Sequence, residues 1–219
     1  MTTDPVVIAA YARTPMGAFQ GAFTGLKSTE LGTAAVKAAV ERAGVASEHI
    51  DRIYMGCVLP AALGQAPARQ AALGAGLSLS VEATTVNKMC GSGMQAAIMA
   101  HEALLAGSAD VIVAGGMESM TNAPYVLPKH RGGARIGHDR IIDTMMMDGL
   151  EDAYTPGKPM GAFAEDTVRA YGFTREEQDA YAIRSLERAN AAIASGGFAK
   201  EIVPVAVPGR NGVGLIDTD

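Results

Sequence analysis

The stretch Val86-Asn87-Lys88-Met89-Cys90-Gly91-Ser92-Gly93-Met94 places a cysteine where an apolar, β-branched run stops and a helix begins. Upstream, Val81, Thr84, Thr85 and Val86 give residues 81–86 the composition of a strand. Downstream, Met94 to Leu105 reads as a helix, apolar on nearly every side and interrupted mainly by Gln95, His101 and Glu102. Gly91 and Gly93 let the backbone turn tightly between the two. A cysteine at a helix start faces unpaired backbone N–H groups and the positive end of the helix dipole, and both favour thiolate, the reactive form. A free cysteine is equally a good small core residue. Residue chemistry therefore leaves both roles open for Cys90, buried hydrophobe or nucleophile.

Working outward, strands and helices alternate. Val6 to Ala10 reads as a buried strand that ends at Arg13-Thr14-Pro15, and Gly17, Gly21 and Gly25 keep the next loop irregular. Thr29 to Ala43 has helical spacing with Gly44 as its stop, and Ile50 to Leu59 reads as a second strand. Pro67 suits the first position of a helix running to Leu73. The strand before Cys90 and its helix follow, and then Asp110 to Ala114 as a fourth strand. This order predicts an α/β fold with a mostly parallel central sheet covered on both faces. Beyond Gly116 the pattern breaks into Pro- and Gly-rich chain carrying Lys129-His130-Arg131 and Met145-Met146-Met147, the character of a lid or binding loop. Helical signal returns from Gly161 to Tyr171 and after Thr174-Arg175-Glu176-Glu177, which has the form of a capping box. Glu201 to Val207 reads as a last strand, and Gly209 to Asp219 as a polar end without a closing element.

Composition narrows the function classes. The 219 residues carry a formal charge of −5, 19% charged and 5% aromatic residues, 12 Met and no Trp. A mildly acidic chain lacks the concentrated basic surface that nucleic acid or an anionic membrane requires. Two cysteines, Cys57 and Cys90, are too few for a disulfide framework and suit a reducing compartment. Met1 to Pro5 lacks a basic start, and no apolar run approaches the roughly 20 residues that span a bilayer, so a cytoplasmic location is expected. No His, Cys and carboxylate set has ligand spacing, so no metal is expected.

Asn87-Lys88-Met89-Cys90-Gly91-Ser92-Gly93 resembles the nucleophile motif of the thiolases. Arg13-Thr14-Pro15, Gly64-Gln65-Ala66-Pro67-Ala68-Arg69-Gln70 and Ala114-Gly115-Gly116-Met117-Glu118-Ser119-Met120 resemble family segments too. So do Asp148-Gly149-Leu150, Met160-Gly161 and Glu176-Glu177-Gln178-Asp179. The resemblance runs in order along essentially the whole chain. It implies a thiolase-like fold: residues 1–119 as the N-terminal α/β domain with the nucleophile, and 120–219 as part of an inserted CoA-binding loop domain. It also implies acyl-CoA acyltransferase chemistry, interconverting two acyl-CoA with a 3-ketoacyl-CoA plus CoA, the substrates being CoA thioesters and no cofactor being needed. Cys90 would carry the acyl group as a thioester, its backbone N–H helping to hold the carbonyl, and Leu150 and Met160 would line the pantetheine and acyl channel. Gly115 and Gly116 would be structural, and Glu118 a buried, satisfied carboxylate. Thiolases usually assemble as dimers or tetramers, so a homodimer or homotetramer is expected.

Two departures stand out. A histidine usually precedes the Met-Gly pair in biosynthetic members, whereas this chain has Pro159, as in members acting on longer acyl chains. Thiolases also run to nearly twice this length. Their second half carries a Gly-His-Pro histidine that activates the nucleophile, an Asn-Glu-Ala-Phe asparagine and a second cysteine, and none of these motifs occurs in residues 1–219. A C-terminal thiolase half with its own α/β domain is therefore an expected partner. His101, 11 residues beyond Cys90, would lie about 16 Å along the helix, too far for proton transfer. His49, His130 and His138 read as surface or loop residues, and Cys57 as core. Lys129, Arg131, Arg135 and Arg140 are either a solvated face or contacts for the phosphates of CoA. The competing reading is a non-catalytic acyl-CoA-binding half-domain, or an inactive fragment.

Overall fold

The computed structural model describes residues 6–209 and 212–219. Two compact units emerge: Met1–Pro124 together with Glu201–Asp219, and Tyr125–Lys200. This division differs from the boundary expected at 119/120, because the chain returns to the first unit at its end. Arg13 anchors that return. Its backbone N–H donates to Glu201 O at 2.9 Å, and its O accepts from Val203 N at 2.8 Å. Its side chain donates to Glu201 Oε1 at 2.9 Å and, from its two terminal nitrogens, to both carboxylate oxygens of Asp219 at 2.6 and 2.8 Å.

The first unit is a three-layer arrangement around strands β1 (Arg52–Gly56), β2 (Glu82–Val86) and β3 (Ile112–Gly116), all parallel in the order β2-β1-β3. Parallel neighbours need crossover connections, and helices supply them. Helix α1 (Ser28–Ala43) ends at Gly44, left-handed at φ 65°, as the sequence suggested. Helix α2 (Pro67–Gly74) opens on its proline, and α3 (Ser92–Leu105) follows β2. The period of two along β1 sorts its residues between layers. Ile53 and Met55 point into a cluster with Val36, Ala68 and Ala71 of α1 and α2. Tyr54 points the other way, against Ala96 and Ala100 of α3.

Three expectations change. Val6 to Ala10 forms no strand among the described residues, and Val7 and Ile8 are 72% and 87% exposed. An apolar run becomes a strand only where a neighbouring backbone completes its ladder; here the nearest pairing is a single bridge between Arg13 and Ile202. Burial on both faces holds for β1, while β2 and β3 are half-exposed edges. The polar end does close: strands β6 (Val205–Gly209) and β7 (Gly212–Ile216) pair antiparallel, with Val205 opposite Ile216. Val205 packs with Phe23 and Leu26, and Val207 and Ile216 flank that cluster.

The second unit contains the short pair β4 (Tyr125–Val126) and β5 (Ile142–Asp143), a π-helical turn over Met145–Leu150, and helices α4 (Met160–Tyr171) and α5 (Arg175–Ala194). The capping box at α5 is fully formed. Glu177 N donates to Thr174 Oγ1 at 3.2 Å, and Thr174 N to Glu177 Oε2 at 2.9 Å. Neither α4 nor α5 has a buried residue.

Candidate active site

Cys90 sits in an elbow between β2 and α3, at the C-terminal end of a parallel sheet, where ligand sites of open α/β folds gather. It lies one residue before Gly91, the N-cap of α3, and is exposed. The preceding residue, Met89, is left-handed at φ 49°, a conformation costing a non-glycine residue about 1–3 kcal/mol unless its surroundings hold it. Short hydrogen bonds do so. Met89 N donates to Asn87 Oδ1 at 3.0 Å, and Gly91 N to Lys88 O at 3.1 Å. The buried Ser92 hydroxyl donates to Met89 O at 2.6 Å and accepts from Lys88 N at 2.8 Å. Lys88 Nζ reaches Gln95 Oε1 at 2.7 Å. The thiol is thus presented on a fixed turn ahead of a helix N-terminus, whose positive end favours developing negative charge. Among the described residues no side chain hydrogen-bonds to the Cys90 thiol. His101 lies on α3 and His49 in a short 3₁₀ turn, while His130 and His138 belong to the second unit.

Beneath the elbow, close approach makes one glycine obligatory. A Cβ on Gly56 would lie 2.7 Å from Ser92 Cβ and 2.8 Å from Ser92 C. Gly116 faces only ordinary contacts, the closest at 3.5 Å, so the tight position is Gly56 at the end of β1 rather than Gly115 or Gly116. The sequence offered a weak signal for it, a glycine closing an apolar strand run. Cys57 is core, 1% exposed, and burial, with the nearby Glu118 carboxylate second, pushes its thiol up to about 11. Glu118 departs from its expected burial. It is an exposed residue at the sheet's end, with both oxygens turned onto backbone amides: Oε2 accepts from Val58 N at 2.8 Å and Oε1 from Leu59 N at 3.1 Å.

Leu150 and Met160 belong to the second unit, and Cys90 to the first. Leu150 ends the π-helical turn and is half-buried, whereas Met160 opens α4 after its N-cap Pro159. An antiparallel bridge between Glu151 and Pro159 closes the loop between them, so the two residues flank one closed loop. Of the cationic set, Lys129 and Arg135 line an open cavity of about 190 Å³ with His138 and Asp139. His130 Nε2 lies 3.0 Å from Asp139 Oδ2.

The family profile described as "Thiolase, N-terminal domain" matches residues 6–219. The chain belongs to the thiolase family. Its relatives include an acetyl-CoA acetyltransferase of Schizosaccharomyces pombe, 49% identical over 208 residues, which cover 95% of this chain and 52% of the relative. An acetyl-CoA acetyltransferase of Cupriavidus necator is 49% identical over 210 residues, covering 96% of this chain and 53% of the relative. Acetyl-CoA acetyltransferase A, mitochondrial, of Xenopus laevis is 48% identical over 206 residues, covering 94% and 48%. The thiolase chain therefore spans about half the length of the curated relatives it matches. No described helix is long and apolar enough to cross a membrane.

Proposed function

We propose that this chain carries the acyl-accepting part of an acetyl-CoA acetyltransferase, a transferase that makes or breaks 3-ketoacyl-CoA in fatty acid metabolism. The observation that supports it is the Cys90 elbow: an exposed thiol on a fixed turn at a helix N-terminus. Cys90 sulfur attacks the thioester carbonyl of one acyl-CoA. The carbon–sulfur bond to CoA breaks, and the Cys90 proton passes through a base to the departing CoA sulfur. A base then takes an α-proton from a second acyl-CoA, and the resulting carbanion attacks the Cys90 thioester. The bond from the acyl carbon to Cys90 sulfur breaks, 3-ketoacyl-CoA leaves, and the proton returns to the Cys90 thiolate. Each step is easier than the direct condensation. Leu150 and Met160 line the acyl and pantetheine channel. Lys129 and Arg135, which line the open cavity together with Asp139, are the cations we assign to a CoA phosphate.

CoA thioesters are the substrates, and the chemistry needs no metal or further cofactor. We assign the base to the half by which the relatives exceed this chain, the C-terminal thiolase half being its partner within a homodimer or homotetramer. A reducing cytoplasm suits the two unpaired thiols.

The test is an intact mass spectrum, acid-quenched after brief exposure of the protein to acetyl-CoA. One acetyl adduct, lost in Cys90→Ala, is expected. Stoichiometric CoA binding without an adduct would overturn the acyl-transfer reading in favour of a binding module.

A further inference from the structure

The C-terminal ends of three parallel strands meet beneath the Cys90 elbow, and one carboxylate joins them. Glu118 lies two residues beyond β3, and its oxygens take the N–H groups of Val58 and Leu59, just beyond β1, at 2.8 and 3.1 Å. Residues 57–59 hold the end of β2 in turn. Cys57 N donates to Val86 O at 3.0 Å, and Asn87 Nδ2 donates to Val58 O at 3.5 Å, the longer of the two links. The other amide atom of Asn87, Oδ1, accepts the N–H of the left-handed Met89, which precedes Cys90.

We propose that Glu118 is a positioning residue for Cys90, fixing the elbow through the 57–59 turn and Asn87 without touching substrate. This rests on reading Cys90 as the acyl-accepting nucleophile.

The Val58 and Leu59 amides lie past the register in which β1 pairs with its neighbours, so they need an acceptor from elsewhere. Glu118 supplies it with both oxygens, as charge-assisted bonds that fix the turn's position as well as its existence. Glu118 is exposed, so filling the core is not its role. Beside it the Cys57 thiol donates to Oε1 at 3.7 Å, and its raised pKa keeps that proton in place at neutral pH. Asn87 then uses one side of its amide on the turn and the other on Met89, so the elbow's geometry depends on where residues 57–59 sit.

The experiment compares the complete natural polypeptide with its Glu118→Ala and Glu118→Gln variants. Amide hydrogen exchange is followed at residues 57–59 and 87–91, with α1 as the internal reference. In Glu118→Ala, exchange at both segments should accelerate about tenfold while α1 is unchanged, and Glu118→Gln, keeping one acceptor oxygen, should fall between. Single-turnover acetylation of Cys90 should lose about tenfold in maximal rate, with the half-saturating acetyl-CoA concentration unchanged. Unaltered exchange at the elbow overturns the proposal, and so does a uniform rise that includes α1. A change confined to the half-saturating concentration overturns it too. Should Glu118→Ala fail to fold, the same readouts on Glu118→Gln decide. If the unmodified protein takes no acetyl group, the acyl-transfer reading fails, and the exchange pattern still decides whether Glu118 positions Cys90.

Discussion

The two units of this chain are built on different principles. Every buried apolar side chain among the described residues, from Phe23 to Met117 and again Val205, belongs to the first unit. In the second, Thr144 is the one buried residue among those described, and α5 presents Tyr181, Ile183 and Leu186 to solvent. Its helices have good ends and open faces. Caps and local pairing decide that a segment is helical, but they do not supply the packing that makes a unit cooperative. The first unit owes its order to burial, the second to local hydrogen bonding.

Truncating a core side chain should expose that contrast most. Ile53→Ala removes a 0% exposed side chain from the first unit and should cost about 2–5 kcal/mol in urea unfolding. Ile183→Ala, at a 58% exposed position on α5, should stay within about 0.5 kcal/mol. Equal losses at the two sites would erase the distinction. A smaller effect is expected where layers touch. Gly56→Ala puts a methyl group 2.7 Å from Ser92 Cβ and should cost about 1–3 kcal/mol, with slower acylation of Cys90 as the elbow shifts. Stability that falls without any change in acylation would separate the elbow from the sheet beneath it.

The second unit answers to its caps. Thr174→Ala removes the acceptor of the Glu177 N–H and should loosen α5 by about 1 kcal/mol, read as faster amide exchange at 175–178 with α1 to α3 unmoved. The gentlest probe is alkali. The Cys57 thiol is raised from 9.0 to about 11 in the folded chain, so its stabilising contribution is complete below pH 9 and lost as pH climbs from there towards 11. Cys57→Ser should flatten that part of the stability profile, measured by denaturation at stepped pH. A comparable alkaline loss in the variant would assign the effect to another group.

Much of the first unit was legible from local pattern. α1, α2, α3 and β2 fall within two residues of their expected bounds, because helical period, Pro67 and Gly44 are signals carried by the segment itself. Val6 to Ala10 was misread for the opposite reason: apolar composition says what a strand would bury, and only a partner backbone makes one. The β6–β7 pairing went unread because the chain around it is polar and Gly-rich, with little of the apolar alternation that marks a strand. At the site, motif and context pointed to Cys90. Gly56 and Glu118 were harder to weigh. Their roles come from neighbours distant in sequence: Ser92 of α3 against Gly56, and the 58–59 amides beyond β1 against Glu118.

The Arg13 clamp has a consequence for synthesis. Its guanidinium waits for a carboxylate made 206 residues later, at Asp219. At roughly 5–20 residues per second, on the order of 10–40 s pass between the two ends of that bond. The whole segment 125–200 is made within that interval, before the 11–16 loop meets its anchor. The insertion is therefore made before the host unit can close on that bond, so the host unit completes its folding only after all of the second unit has been synthesised.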